Sequence, residues 1–251
     1  MIFDPKPTRY PFPKQTDKHY LVVKKDNGVV FDKDYPYIDR SRSFRFKQFW
    51  MRVLSRLVAF PLATIRLGSK VRGKQILKEN KELLKQGVIS CANHVHMWDY
   101  IAVMKAIHPF HSNLLAWAKN VRGENAGLIR MVGGIPIPED NPHATAAFNK
   151  AVKNLLLGGG WLHIYAEGSM WEYYAPIRPF KSGTGHFAAQ CGKPVLPLAF
   201  SYRRPGRIRR VIFRQIACFT LSIGEPILNY TFIQHTPAYR SFRQTGVPDI
   251  I

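Results

Sequence analysis

The sequence predicts an α/β fold: a single domain with a mixed, mostly parallel sheet covered by helices, preceded by an amphipathic, membrane-associating helix. Two observations support this prediction. Short β-rich runs alternate with helix-like segments after Gly68, and a basic segment without any acidic residue precedes them. The 251 residues, of which 46% are hydrophobic, suit one α/β domain with a proper core.

Composition shifts divide the chain into four parts. We predict an N-terminal arm with a short hairpin at 1–42, a basic amphipathic helical segment at 43–68, the main domain at 69–227 and a C-terminal extension at 228–251. The hairpin prediction rests on two β-rich runs around the turn signal Asn27-Gly28.

The segment at 43–68 has arginines on one side of a helix and apolar and aromatic residues on another. Arg45, Arg52 and Arg56 fall together at about 100° per residue, and Trp50 and Leu54 lie away from them. This pattern is typical of an interfacial membrane anchor. The alternative is a helix that packs on the protein's own core and keeps a solvated basic edge. Pro61 is expected to end or kink the helix.

Elements of the main domain follow from hydrophobic periodicity and from turn residues. Strands are predicted at 70–72, 88–92, 114–118, 135–137, 161–166 and 195–201, with a basic strand pair at 207–214 and 217–223. Helices are predicted at 77–85, 98–107, 127–132, 142–157 and 184–191. The helix at 142–157 has the clearest ends, because Asn141 and Pro142 suit its start and Gly158 its stop.

The net charge indicates which classes of binding partner the protein can attract. Lys and Arg number 37 against 16 Asp and Glu, a formal charge of +21. Such a charge recruits nucleic acid, anionic lipid, an acidic carrier protein or a phosphorylated ligand. The basic run at 203–214 is interpreted as part of a strand. It has none of the motifs of nucleic-acid-binding domains, so we expect it to contact a lipid or cofactor phosphate and no nucleic acid.

Cysteine usage and the N-terminus indicate the compartment. Cys91, Cys191 and Cys218 are an odd, widely spaced set, which disfavours a disulfide framework and favours a reducing environment. The first residues lack the apolar run of a secretory signal, and the apolar stretch at 57–65 is too short to span a bilayer. A peripheral or monotopic protein on the cytoplasmic face of a membrane is expected.

The candidate catalytic pair is His94 with Asp99. They lie between a predicted strand and a predicted helix, where α/β folds place ligands. An Asp that binds one imidazole nitrogen leaves the other free to act as a base, with a substrate hydroxyl in place of an enzyme nucleophile. The alternative is a structural histidine.

Two further segments are candidates for substrate binding. Glu167, Gly168 and Ser169 directly follow the predicted strand at 161–166. Arg178 and Lys181 precede a predicted helix whose N-terminus would suit an anionic group. Solvated cations at an ordinary helix start are the alternative.

Taken in order, these segments resemble the glycerolipid acyltransferase family, which includes the lysophosphatidic acid acyltransferases. The matching blocks are Asn93-His94 with Asp99, Gly133-Gly134-Ile135-Pro136-Ile137, Tyr165-Ala166-Glu167-Gly168-Ser169 with Phe180-Lys181-Ser182-Gly183, Val195-Leu196-Pro197-Leu198, and the closing Ile223-Gly224-Glu225-Pro226-Ile227. A lone His-x-x-x-x-Asp is common by chance, whereas blocks in series are specific.

The resemblance implies transfer of a fatty acyl group from acyl-CoA or acyl carrier protein, as co-substrate, to a lysolipid hydroxyl in phospholipid biosynthesis or remodelling. His94 would be the general base, oriented by Asp99, with no metal and no cofactor. Asn93, Glu167, Gly168, Ser169, Arg178 and Lys181 would bind substrate. Two departures affect the acceptor, because Met170 and Glu139 stand near the positions of the family's phosphate-binding arginines.

Three other interpretations compete with this one. His94 and His96 form a His-x-His pair that suggests a metallohydrolase, although Asp99 is one residue too late for the usual zinc motif. Cys91 is a candidate thioester-forming nucleophile, but it ends an apolar strand, where an inert thiol is expected. The high charge by itself also suits a non-enzymatic protein that binds membranes or nucleic acid.

Overall fold

A computed structural model describes residues 3–5, 25–139 and 141–228. The helices are α1 (Arg42–Leu54), α2 (Phe60–Arg66), α3 (Lys74–Glu79), α4 (Lys81–Lys85), α5 (Asp99–Ile107), α6 (Ala118–Arg122), α7 (Ala126–Met131), α8 (Pro142–Leu157), α9 (Gly183–Cys191) and α10 (Arg207–Ile212). A π-helical turn, Ser55–Ala59, joins α1 to α2. The strands are β1 (Lys70–Arg72), β2 (Val88–Ala92), β3 (Ser112–Ala116), β4 (Gly134–Pro136), β5 (Trp161–Tyr165), β6 (Val195–Arg203) and β7 (Cys218–Ile223).

The predicted sheet is confirmed as mixed and mostly parallel. Within the described residues, seven strands lie in the order β1-β7-β6-β2-β5-β3-β4. Only the β6–β7 pair among them is antiparallel. Strand β2 lies between β5 and β6, and its last residue, Ala92, pairs with Tyr165, the last residue of β5. The carboxyl ends of β2 and β5 therefore meet side by side, and the loops that follow them share one edge of the sheet.

Two apolar layers cover the sheet. All five residues of β2 are buried, as expected for a central parallel strand. Val88 packs in the layer that contains Val103 of α5, and its neighbour Ile89 packs in the layer that contains Phe148 of α8. Consecutive strand residues point to opposite faces, so one short strand contributes to both layers.

Helix α8 begins and ends where the sequence predicts. The Asn141 side chain accepts hydrogen bonds from the backbone N–H groups of His143 and Ala144, at 3.0 and 3.1 Å. The buried residues of the helix recur at every fourth position: Ala144, Phe148, Val152 and Leu156. One apolar stripe therefore faces the sheet.

The predicted N-terminal helix is present, but Pro61 does not end it. We call the region 42–66, formed by α1, the π-helical turn and α2, the N-terminal helical segment. The Phe60 N–H donates to the Ser55 carbonyl five residues earlier, just before Pro61. A proline lacks an N–H and disturbs the ladder of four-residue bonds, and the wider π-helical turn accommodates this without stopping the helix.

The strand predicted at 207–214 is wrong, because residues 207–212 form α10. Ile208, Val211 and Ile212 follow helical spacing, and the extended backbone of Gly206 starts the helix. In the predicted hairpin, the second run, Val29–Phe31, is not a strand, and the first run lies mostly outside the described residues. Over the described ranges, no helix is both long enough and apolar enough to cross a bilayer.

Candidate active site

The loop after β2 brings His94 onto Asp99, the first residue of α5. The imidazole Nδ1 lies 2.8 Å from the Asp99 Oδ2 atom. An ionised carboxylate only accepts hydrogen bonds, so Nδ1 carries the proton and donates it. The Nε2 atom is then unprotonated and suited to act as a base.

Four donors hold the buried Asp99 carboxylate. Besides His94, the backbone N–H groups of Val95 and His96 donate to Oδ2 at 2.9 and 3.2 Å, and the Tyr165 hydroxyl donates to Oδ1. Burial alone would raise the pKa of Asp99, but the facing imidazole and the hydrogen bonds outweigh burial and hold that pKa below its usual value. Asp99 therefore stays ionised and fixed beside His94.

Glu167 and Arg178 form a buried ion pair behind this dyad. The Arg178 Nη2 atom lies 2.9 Å from Glu167 Oε2, and the backbone N–H of Arg178 donates to Oε1 at 2.7 Å. The backbone N–H of His94 also donates to Oε2, at 3.1 Å. Glu167 thus connects the loop that follows β2 to the loop that precedes α9.

The surroundings of Arg178 bear on the prediction that it binds substrate. Its guanidinium lies 4.3 Å from the Trp171 ring centroid and donates to the Ser169 hydroxyl at 2.7 Å. Arg178 is 1% exposed and Glu167 is 3% exposed, so neither side chain is accessible to a ligand. Through the hydrogen bond from the His94 N–H to Glu167, this buried pair holds the His94 loop in position.

The buried Asn93 side chain bonds to the backbone of β6. Its side-chain amide donates to the Phe200 carbonyl at 3.1 Å and accepts from the Phe200 N–H at 2.8 Å. This pair of bonds extends the pairing between β2 and β6 beyond the last strand register at Cys91 and Pro197. The start of the His94 loop is fixed against β6 as a result.

Gly168, Ser169 and Lys181 all line the groove described next. Gly168 and Lys181 are partly exposed, whereas Ser169 is buried and its hydroxyl accepts the hydrogen bond from Arg178. Gly168 has φ of +77°, and a Cβ atom there would meet the Lys181 side chain at 3.4 Å. The left-handed backbone explains why glycine follows Glu167, since the 3.4 Å contact with Lys181 would itself be ordinary.

An apolar groove of about 720 Å³ opens beside the dyad. The N-terminal helical segment contributes Met51, Leu54, Val58 and Leu62 to its lining, and the main domain contributes Ile101, Met104, Leu114, Leu128 and Ile129. His94, Asp99 and Trp98 lie along it, and its size is typical of small-molecule sites. Of the described residues that line it, the lysines and arginines are Arg66 and Lys181.

Two lining residues stand near the positions of the family's phosphate-binding arginines. Met170 is buried against the groove. Glu139 forms an ion pair with Arg122 at 3.0 Å. Neither Met170 nor Glu139 carries a positive charge, so neither can replace a phosphate-binding arginine at these positions.

Sequence reasoning missed the part played by Tyr165 and Arg66. The Tyr165 ring stacks on the His94 imidazole, and Arg66 brings a cation of the N-terminal helical segment to the groove. In the block that contains Glu167 and Gly168, the family that the sequence resembles usually has phenylalanine where this chain has Tyr165, and that difference was the available signal. Arg66 had no such signal, because its place depends on how the helix docks.

The structure also bears on His96 and Cys91. The His96 Nδ1 atom accepts from the Trp98 N–H at 3.1 Å, and Nε2 lies 3.4 Å from Glu172. Among the described residues, no three His, Cys, Asp or Glu side chains gather as a metal site would require. Burial raises the pKa of the Cys91 thiol to about 11, which makes it a poor nucleophile.

Comparisons with known proteins identify the class. The family model for the Acyltransferase family matches residues 69–201, more than half of the chain. The chain therefore belongs to the acyltransferase family and is an acyltransferase enzyme, as the series of motif blocks indicated. No similar sequence was found among the curated proteins.

The fold is similar to a solved enzyme structure. It matches the crystal structure of the 1-acyl-sn-glycerophosphate (LPA) acyltransferase PlsC from Thermotoga maritima with a TM-score of 0.51 and 14% identity. The match covers 84% of this chain and 85% of that chain. At this identity the likeness establishes the shared α/β fold.

Proposed function

We propose that this acyltransferase is a peripheral membrane enzyme that moves a fatty acyl group from acyl-CoA or acyl carrier protein to a lysolipid hydroxyl. The single observation that supports this most is the His94–Asp99 dyad, with its 2.8 Å contact, beside the apolar groove. The groove suits a hydrocarbon chain, and the dyad suits a hydroxyl that must lose its proton.

In the proposed reaction, the His94 Nε2 atom takes the proton of the acceptor hydroxyl while its oxygen attacks the thioester carbonyl carbon. The resulting oxyanion is held by nearby backbone N–H groups. Collapse re-forms the carbonyl, breaks the carbon–sulfur bond and transfers the proton from His94 to the departing thiolate. Asp99 keeps the imidazole in the required tautomer and stabilises its positive form.

The acceptor's headgroup is proposed to meet Lys181 and Arg66. These are the lysine and arginine among the described groove residues, since Arg178 is committed to Glu167. A lysine and a single arginine bind a phosphate monoester more weakly than two bidentate arginines do. This difference favours acceptors other than a phosphate monoester. The chain's charge of +21 suits an anionic membrane surface on the cytoplasmic side and either acidic donor.

The test uses purified protein, labelled acyl-CoA or acyl carrier protein, and a panel of acceptors. The panel holds lysophosphatidic acid, a lysophospholipid with a capped phosphate and a phosphate-free acceptor. Product from any of them supports lysolipid acylation, and the preferred acceptor shows what Lys181 and Arg66 recognise. No product from every donor and acceptor pair, with the thioester intact, contradicts the proposal.

Variants test the roles of the dyad. His94→Ala and Asp99→Asn are each expected to lower kcat by about 10²–10⁴-fold, because one removes the base and the other its orientation. His143→Ala, an exposed histidine on α8, is the matched control and should retain full activity. Full activity in His94→Ala would contradict the mechanism.

A further inference from the structure

Helix α10 presents an exposed apolar face that the proposed reaction does not use. Ile208, Val211 and Ile212 stand at positions i, i+3 and i+4, on one side of the helix, and are 70%, 70% and 67% exposed. Ile216, four residues beyond Ile212, is also exposed. We call these four residues the α10 face. Large aliphatic side chains grouped in this way indicate a contact surface.

Arginines surround this face. Arg204, Arg207, Arg210 and Arg214 are all exposed. From residue 173 to residue 224 the sequence has no aspartate or glutamate, so nothing nearby in sequence neutralises them. The charge complementary to the α10 face is therefore negative.

The α10 face continues the exposed side of the N-terminal helical segment. The Arg209 guanidinium donates to the carbonyls of Thr64 and Ile65, and the Arg66 guanidinium donates to the Phe213 carbonyl at 2.8 Å. These bonds hold α10 against the end of α2, where Leu62 and Ile65 are more than half exposed. Exposed apolar side chains thus extend from one helix to the next.

We propose that the α10 face is a second membrane-binding element, which docks on an anionic bilayer beside the N-terminal helical segment. The isoleucines and valine enter the interface, while the arginines bind lipid phosphates at its edge, as in interfacial amphipathic helices. Two separate contacts would fix the orientation of the enzyme on the membrane. The inference rests on the membrane association proposed above, but it requires no acyl transfer.

Cosedimentation of the full chain with lipid vesicles tests this. The vesicles contain phosphatidylcholine with phosphatidylglycerol, or phosphatidylcholine alone. Ile208→Ser/Val211→Ser/Ile212→Ser is expected to weaken binding to the anionic vesicles by about 10-fold or more, since it removes buried apolar area. Leu157→Ser, which changes a single exposed leucine on α8 outside the α10 face, is the control and should bind like the wild type.

A second pair of variants tests the charges. Arg207→Gln/Arg210→Gln is expected to weaken binding to anionic vesicles by about 30-fold, from about 1 kcal/mol for each arginine near the surface. Lys150→Gln/Lys153→Gln on α8 removes the same charge elsewhere and should have little effect. Phe46→Ser/Trp50→Ser reports separately on the N-terminal helical segment.

Four outcomes would overturn the inference. If α10 variants bind vesicles normally while Phe46→Ser/Trp50→Ser does not, the membrane contact lies in the N-terminal helical segment alone. If the α10 variants keep vesicle binding but lose binding to acyl carrier protein, the α10 face is a docking site for that donor. If the α10 variants bind vesicles like the wild type but unfold at a lower Tm, the α10 face packs against the protein itself and not against a membrane. If the wild type binds no vesicles, membrane association fails as well, while the separate acyl-transfer assay still reports on the reaction.

Discussion

The ring of Tyr165 stacks on the imidazole of His94, with centroids 3.8 Å apart and planes within 9° of each other. Its hydroxyl donates to Asp99, the residue that orients the same imidazole. Tyr165 ends β5 and pairs with Ala92 at the end of β2, so the sheet register itself sets its place. One side chain thereby restrains both members of the dyad.

Replacing Tyr165 with Phe separates these two contacts. The ring can still stack on His94, but Asp99 loses a hydrogen bond, and bonds to a charged group contribute about 1.5–3 kcal/mol. We expect kcat to fall by about 10-fold or more with little change in KM, because the dyad is less well oriented while the groove is intact. Steady-state kinetics with saturating donor measures both constants.

Tyr37→Phe is the matched control for this variant. Its hydroxyl donates to the Asp32 carbonyl at 3.1 Å, away from the dyad, so kcat should not change. Equal kcat values for Tyr165→Phe and the wild type would mean that the other three donors to Asp99 suffice.

The sequence predicted much of the fold and the dyad because both follow from local spacing. Alternation of strands and helices led to the parallel sheet, and four intervening residues allowed Asp99 to turn back onto His94. The environment of Arg178 was not predictable, since its burial depends on how the long loop between β5 and α9 folds back to bring it onto Glu167 and Trp171. The helix at α10 was missed because its isoleucines and valine have high strand propensity, while their spacing is helical.

Glu167→Gln tests the buried ion pair. The substitution keeps the side chain's shape and removes its charge, which leaves the Arg178 guanidinium buried without a counter-ion. We expect the free energy of unfolding to fall by about 3 kcal/mol, at the lower end of the cost of breaking a buried pair. Urea unfolding measures the change.

The pair between Glu139 and Arg122 provides the comparison. Both side chains are partly exposed at a similar separation, so Glu139→Gln should cost less than about 1 kcal/mol. Similar losses for the two variants would contradict a special role for the Glu167 pair in fixing the His94 loop.

Cys91→Ala distinguishes direct transfer from a covalent acyl-enzyme. Burial raises the pKa of the Cys91 thiol to about 11, so thiolate is scarce at neutral pH. We expect the variant to transfer acyl groups at the wild-type rate, and intact-mass analysis of the wild type during turnover to show no acyl adduct. Loss of activity together with an adduct on wild-type Cys91 would favour a two-step reaction.

His163 makes the stability of the protein depend on pH. It lies fully buried in β5, its Nδ1 atom 2.9 Å from the Ser90 hydroxyl oxygen, which accepts from the Trp161 indole N–H at 2.8 Å. The Ser90 proton is therefore free to be donated to Nδ1, which suits a neutral imidazole. Burial lowers the pKa of His163 to about 3.

The lowered pKa of His163 determines the direction in which the free energy of unfolding changes with pH, and the pH range over which it changes. In the unfolded chain a histidine takes up a proton near pH 6.5, whereas folded His163 does so only near pH 3. Between these values the unfolded state binds more protons, so the free energy of unfolding falls as pH falls, by up to about 1.4 kcal/mol per pH unit. Above pH 6.5 the imidazole is neutral in both the folded and the unfolded state, so His163 causes no loss of stability there.

We therefore expect His163→Gln to flatten this dependence of the free energy of unfolding on pH between pH 6 and pH 4, whatever the stability of the variant at neutral pH. Urea unfolding at several pH values, with exposed His143→Gln as the control, measures the slopes, and equal slopes for His163→Gln and the wild type would show that buried His163 takes up its proton while folded.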